Sequence, residues 1–228
     1  MALVAGNDGG GFKVEPLEAG AYPATIVQVI DLGVQPQRPY KGEEKPPHQE
    51  ILITYELADE FLKDEEGEDL EDKPRFLSEY FRLFGLKAEN AKSTQRYLNL
   101  DPKQVHGGDF AKLLGLPVTL TVLQNEKDGK VYNNVGLAVA MREKEVRRHP
   151  KPVNDLLCFD LDEPELEVFL SLQSWIQDKI KSSIGFEGTS FADDVAQASQ
   201  ESKPKGEAKP AKKAAVEEGD DDDSEIPF

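Results

Sequence analysis

Hydrophobic and polar positions alternate along the first two thirds of the chain in runs of strand length. Residues 20–31 carry Tyr22, Ile26, Val27, Val29 and Ile30, β-favouring side chains that are apolar on both faces. Residues 49–58 alternate with period two. Ile51, Ile53, Tyr55 and Leu57 take one face, and Thr54 and Glu56 the other. Residues 75–84 predict a third strand with Leu77, Phe81 and Leu83 toward a core and Phe76, Tyr80 and Arg82 on the opposite face. Residues 118–123 predict a fourth strand and 131–140 a fifth. Asp128-Gly129 in the intervening turn is a hairpin signal.

Helical spacing appears in three places. Residues 87–98 predict a helix with Ala88, Ala91 and Leu98 as its apolar points. Residues 108–115 predict a short one, with Asp109 as N-cap and Gly115 as stop. Residues 164–184 predict a longer one, in which Leu172, Trp175, Ile176, Lys179 and Ile180 follow the i, i+3, i+4, i+7, i+8 spacing and Ser171 offers a cap. This helix is expected to dock on the strands with Trp175 as a core residue rather than an exposed stacking platform.

Five strands with a helix between the third and fourth is the element order of an OB-fold. The expected fold class is therefore mainly β, a β-barrel of OB-fold type with added α-helices and a disordered acidic C-terminal tail. The expected division is a flexible arm over 1–19, joining the body near Phe12 and Val14, an OB-fold domain with its C-terminal helix over 20–188, and a linker and tail over 189–228. Past Phe191 the pattern dissolves, and residues 199–215 are rich in Lys, Ala, Ser and Pro, a composition that buries no core.

Charge changes this picture. The net charge is −17. Residues 201–228 hold nine acids and five bases, which leaves the rest near −13, much of it at 59–72 and 155–167. A nucleic-acid reading therefore requires that acids and bases occupy different surfaces. Cys158 is the one cysteine, so no intramolecular disulfide forms, which suits a reducing compartment. His48, His106 and His149 have no cysteine partners at zinc-ligand spacing, and no metal or cofactor is expected. No signal-peptide pattern or membrane-length apolar run appears, so a cytoplasmic protein is expected.

The acidic run ends in Asp220-Asp221-Asp222-Asp223-Ser224-Glu225-Ile226-Pro227-Phe228. A terminal Phe offers a ring for an apolar pocket and a carboxylate for a neighbouring cation. Pro227 restricts the backbone before it, and the acids add long-range attraction to a basic partner. This linker, acidic stretch and Ile-Pro-Phe ending resembles the C-terminal tip of bacterial single-stranded DNA-binding proteins. The body resembles the larger single-stranded DNA-binding proteins of bacteriophages, on the runs Ile30-Asp31-Leu32-Gly33-Val34-Gln35-Pro36-Gln37 and Phe159-Asp160-Leu161-Asp162-Glu163-Pro164. The resemblance implies sequence-independent binding of single-stranded DNA in replication, recombination or repair. It implies a host bacterial cytoplasm for a phage-encoded chain. It also implies that Asp220, Asp221, Asp222, Asp223, Glu225, Ile226, Pro227 and Phe228 recruit a polymerase, helicase, primase or nuclease. Ser224-Glu225 interrupt the usual direct run of Asp into Ile-Pro-Phe. The longer body departs from the bacterial tetramer type and leaves room for a homodimer.

Binding single strands without sequence preference needs a basic groove for phosphates and aromatic rings for bases. The densest such stretch holds Arg75, Phe76, Tyr80, Arg82, Lys87, Lys92 and Arg96. A second is Arg38, Tyr40 and Lys41, in the loop between the first two strands, where OB-folds line their groove. Tyr132 beside Lys130 is a third. The alternative for Phe76 and Tyr80 is packing under the helix, and for Tyr40 an ordinary exposed loop. The rival functions are an acidic adaptor or DNA mimic that binds only proteins, and a metal-dependent nuclease. Asp160, Asp162 and Glu163 are close in sequence but precede a Pro-led helix as capping acids, and no catalytic constellation appears, so no enzyme is expected.

Overall fold

The structure is a computed structural model that describes residues 15–201. It is mainly β: a six-stranded sheet with short helices packed against both faces. The strands are β1 (Gly20–Gln35), β2 (His48–Lys63), β3 (Asp69–Arg82), β4 (Pro117–Lys127), β5 (Lys130–Ala140) and β6 (Leu157–Phe159). The main path is β3-β2-β1-β4-β5, antiparallel throughout, and β6 adds parallel to β1. β1 is long enough to be shared. Its first half pairs with β4, and Gln28, Val29 and Ile30 pair with β6 along the edge that β4 leaves. The sheet is open, with β3 and β5 as its outer strands.

Two cores sit on opposite faces, and a bulge in β1 serves both. The register shifts between Ile26 and Gln28. Ala24, Ile26 and Val29 join Ile51, Ile53, Tyr55 and Leu57 of β2 in the first core, while Ile30, Leu32 and Leu52 enter the second. The apolar face read for residues 49–58 is thus wholly buried. The polar face is buried too, because the C-terminal third of the chain lies over it. Glu56 is fully covered. Its carboxylate accepts the Val153 N–H (2.6 Å), the Asn154 N–H (3.0 Å) and the Asn154 side-chain amide (2.6 Å). Three donors compensate the cost of removing that charge from water.

The helix expected over 87–98 is α1 (Lys92–Leu100), preceded by turns at 85–91. Tyr97 and Leu100, not Ala88 and Ala91, are its buried apolar points, and Phe110 packs on Tyr97 at 5.2 Å between ring centroids. Ser93 fixes the start by accepting the Phe84 N–H at 3.0 Å. Residues 111–113 form a 3-10 turn, in which the Asp109 carboxylate accepts the Ala111 N–H. The β4–β5 hairpin closes on Asp128 and Gly129, both with positive φ (54° and 71°), the type I′ geometry that matches strand twist. A short α2 (Glu143–Val146) follows β5.

The single helix expected over 164–184 is two, α3 (Leu166–Ser171) and α4 (Ser174–Lys181). Leu172 and Gln173 are extended, and the Gln177 amide donates to the Leu172 and Leu170 carbonyls released at the break. Ser171 does not cap α4; its hydroxyl donates to the Val168 carbonyl, and Gln173 occupies the cap position. Past Phe191, where the pattern fades, the chain forms α5 (Ser190–Glu201), so helix extends beyond the boundary read at 188. Phe191 and Val195 are buried in the second core, with Phe191 edge-on to Phe169 at 5.5 Å. This layer approaches β1 closely at Gly33. Its φ is +75°, and a Cβ there would lie 2.7 Å from the Ser183 Cβ. At the other end, the described part of the N-terminal arm docks through Leu17. Its N–H donates to Asn133 Oδ1, and its carbonyl accepts from Gln124 and Asn133.

Candidate nucleic-acid interface

Strand alternation divides the basic residues of β3. Phe76 and Tyr80 stand on the outer face and are half exposed, at 50% and 51%. Arg82 follows on the same face, its guanidinium 5.9 Å from the Phe84 ring centroid, and Phe84 packs on His48 at 4.4 Å. Neither ring lies under α1, whose buried Tyr97 and Leu100 join the core on the other face of the sheet. Arg75 falls on the opposite face, where it donates to the Glu15 carbonyl and lies 3.9 Å from Glu60.

Two further bases of this stretch are committed elsewhere. Glu79 is buried on the inner face of β3. Arg96 Nε lies 2.7 Å from its Oε1, Arg96 Nη2 donates to Oε2 at 3.0 Å, and Lys92 Nζ lies at 3.1 Å. The Tyr55 hydroxyl donates to Glu79 Oε1 at 2.8 Å. Burial, and then the neighbouring Glu79 carboxylate, push the Tyr55 phenol well above its ordinary range. Arg96 is 4% exposed and also donates to the Gly136 carbonyl of β5, so it ties β3 to β5 and presents nothing to a ligand. The reading of Arg96 as a phosphate contact is corrected by this burial. Lys92 keeps half its side chain in solvent but is paired. Lys87 is exposed in the turns after β3.

The β1–β2 loop turns tightly at Lys41-Gly42, with paired backbone bonds between Tyr40 and Glu43. Tyr40 is 46% exposed, and the ammonium groups of Lys45 and Lys41 lie 4.5 and 5.1 Å from its ring centroid. Arg38 is exposed beside it. A chain of contacts joins the base of this loop to β3. Gln37 donates to Glu50 Oε1, Glu50 Oε2 pairs with Lys179 of α4 at 2.8 Å, and Lys179 lies 4.1 Å from the Tyr80 ring centroid. Tyr132 is exposed on β5 opposite Asn125, toward the tip of the β4–β5 hairpin.

The chain matches no protein-family model and no curated protein.

Two residues read as belonging elsewhere border the outer face of β3. Trp175 is not a core residue: it is 44% exposed and its Nε1–H donates to Gln173 Oε1. Ile176 and Ile180 take the buried side of α4, which leaves Trp175 and Lys179, four residues apart, on its edge toward β3. The i, i+3, i+4 pattern could not make this distinction, because an apolar stripe does not reveal which of its margins meets the sheet. Between α4 and β3 runs a groove of about 310 Å³, with Phe76 and Trp175 among its lining. The acids at 59–72 are drawn away to the far end of the long β2–β3 hairpin, while Asp155 lines this groove. Among the described residues no cluster of three or more His, Cys, Asp or Glu is arranged to hold a metal ion, and no helix is long and apolar enough to cross a membrane. The expected tail contacts, Asp220, Asp221, Asp222, Asp223, Glu225, Ile226, Pro227 and Phe228, lie outside the described residues.

Proposed function

We propose that this chain binds single-stranded DNA without sequence preference, through the outer face of β3 and the β1–β2 loop of an OB-fold. The observation that carries the reading is the pair Phe76 and Tyr80: two large rings half exposed on one face of a sheet, with Arg82 and Lys179 beside them. A ring left in water on a strand has a cost that a stacking partner offsets, and bases are sequence-tolerant partners. Tyr40, Arg38 and Lys41 extend the track. The strand order β3-β2-β1-β4-β5 and the α1 bridge from Glu79 to Gly136 support an OB-type barrel, which brings β3 toward β5. The acidic segment 217–228 is the proposed docking peptide for replication or recombination enzymes.

Fluorescence anisotropy with a labelled oligo-dT strand tests the reading across a salt series. Affinity should fall steeply as salt rises and should exceed that for duplex DNA of equal length. Absence of binding at low salt would instead favour an acidic adaptor that binds only proteins, for which the exposed acids of the β2–β3 hairpin tip are the supporting observation.

A further inference from the structure

We propose that the groove between β3 and α4 is a base clamp in which a single nucleobase enters between Phe76 and Trp175, so that the C-terminal helical layer forms the second wall of the DNA site. This rests on the single-stranded DNA reading above and names what occupies the groove. Phe76 lies on the sheet wall and Trp175 on the helix wall, each about half exposed. The volume of about 310 Å³ accommodates a nucleobase.

Charge decides what part of the strand goes in. The lining includes the carboxylate of Asp155 and the hydroxyls of Thr54 and Ser78, and it includes no lysine or arginine. A phosphate would meet an anion with no cation to offset it. A neutral heteroaromatic ring meets two aromatic side chains and a polar floor. Thr54 is already engaged with Gln28 and Ser78, so the floor is set before any ligand arrives. The cation lies just outside. Lys179 is one turn beyond Trp175 on α4, near Tyr80, which is four residues beyond Phe76 on β3. Four residues span about 13 Å of strand but about 6 Å of helix. Because Lys179 closes on Tyr80 at 4.1 Å, the two walls meet at that end and diverge toward Phe76 and Trp175, where the groove lies. Base inward at Phe76 and Trp175, with phosphate outward near Lys179, follows from that arrangement.

The chain contains one tryptophan, so its intrinsic emission reports this position alone. Full-length protein is titrated with unlabelled oligo-dT and with an abasic strand of the same length, while anisotropy follows binding of labelled oligo-dT in parallel. The expected result is a change of Trp175 emission and protection from acrylamide with oligo-dT, and a much smaller response to the abasic strand. Trp175→Ala should weaken oligo-dT binding about tenfold, and Trp175→Phe less than threefold, as loss and retention of a stacking ring require. If oligo-dT binds but emission and acrylamide access stay unchanged, the clamp is overturned and the DNA reading stands. If Trp175→Ala does not fold, the wild-type emission and the Phe variant decide. If oligo-dT does not bind at all, the functional reading itself fails.

Discussion

The ammonium of Lys179 stands 4.1 Å from the centroid of the Tyr80 ring while it holds the Glu50 carboxylate at 2.8 Å. An arriving phosphate therefore competes with Glu50 for the same cation. Glu50→Gln removes the competitor. Affinity for oligo-dT at low salt should rise about two- to fivefold, the scale of a partly exposed ion pair. Equal or weaker binding by a folded variant would show that Lys179 takes no part.

The two faces of β3 should behave differently. Tyr80→Ala removes a half-exposed ring and should weaken oligo-dT binding by about fivefold or more with little change in melting temperature. Arg75→Ala, on the other face and engaged with Glu15 and Glu60, should change binding by less than about twofold at a salt near physiological. Equal losses in both would mean that the strand does not run along the outer face.

Glu79 joins Arg96, Lys92 and Tyr55 beneath the sheet. Glu79→Ala leaves a buried guanidinium without its anion, which costs about 3–5 kcal/mol in comparable settings. Urea denaturation should show a midpoint lowered accordingly, whereas DNA affinity of the protein that remains folded should be close to wild type. A variant of unchanged midpoint would place the cluster outside the cooperative core.

Gly33 is the point where β1 meets the turn after α4. Gly33→Ala must hold φ near +75° and bring a Cβ 2.7 Å from that of Ser183. A left-handed conformation alone costs a non-glycine residue about 1–2 kcal/mol, and the contact adds to it. Combining the change with Ser183→Gly should restore part of the loss in a thermal melt, and strictly additive losses would exclude the contact as a cause.

His149 accepts or donates a 2.7 Å hydrogen bond with the Thr25 hydroxyl, and burial holds its ring below the ordinary histidine pKa. The neutral ring is favoured in the fold. Its stabilisation is present above the unfolded-state value near 6.5 and is lost as pH falls toward the lower folded value. Melting temperature should therefore drop between about pH 7 and pH 5. His149→Gln should flatten the part of that profile that His149 supplies, and an unaltered profile would assign it to other groups.

Local pattern located the strands well. The period-two run Ile51, Ile53, Tyr55, Leu57 has one outcome on a pleated sheet, and Asp128-Gly129 supplies the two positive φ angles of its hairpin. The same logic put Phe76 and Tyr80 on one face and Leu77 and Phe81 on the other. It failed at 157–201. A three-residue β6 has too few positions to show a period, and the break at Leu172 and Gln173 depends on a side chain, Gln177, that satisfies carbonyls several residues away. The candidate site was half legible for a related reason. Sequence gives the face of a residue on its own element but not which element lies opposite, so it named Arg96, which is buried against Glu79, and missed Trp175 and Lys179, which border β3.

By itself the sequence determined the β-rich character of the chain, the order of its first five strands, the outward set of β3 and the concentration of acid at 59–72. These follow from alternation and turn chemistry, which act over a few residues. Only the tertiary structure decided that the polar face of β2 is buried, that Glu79 consumes two of the expected cations, and that α4 stands beside β3 with a groove between them. Those depend on long-range packing, in which the free energy of burying one surface is set by the partner brought against it from far along the chain.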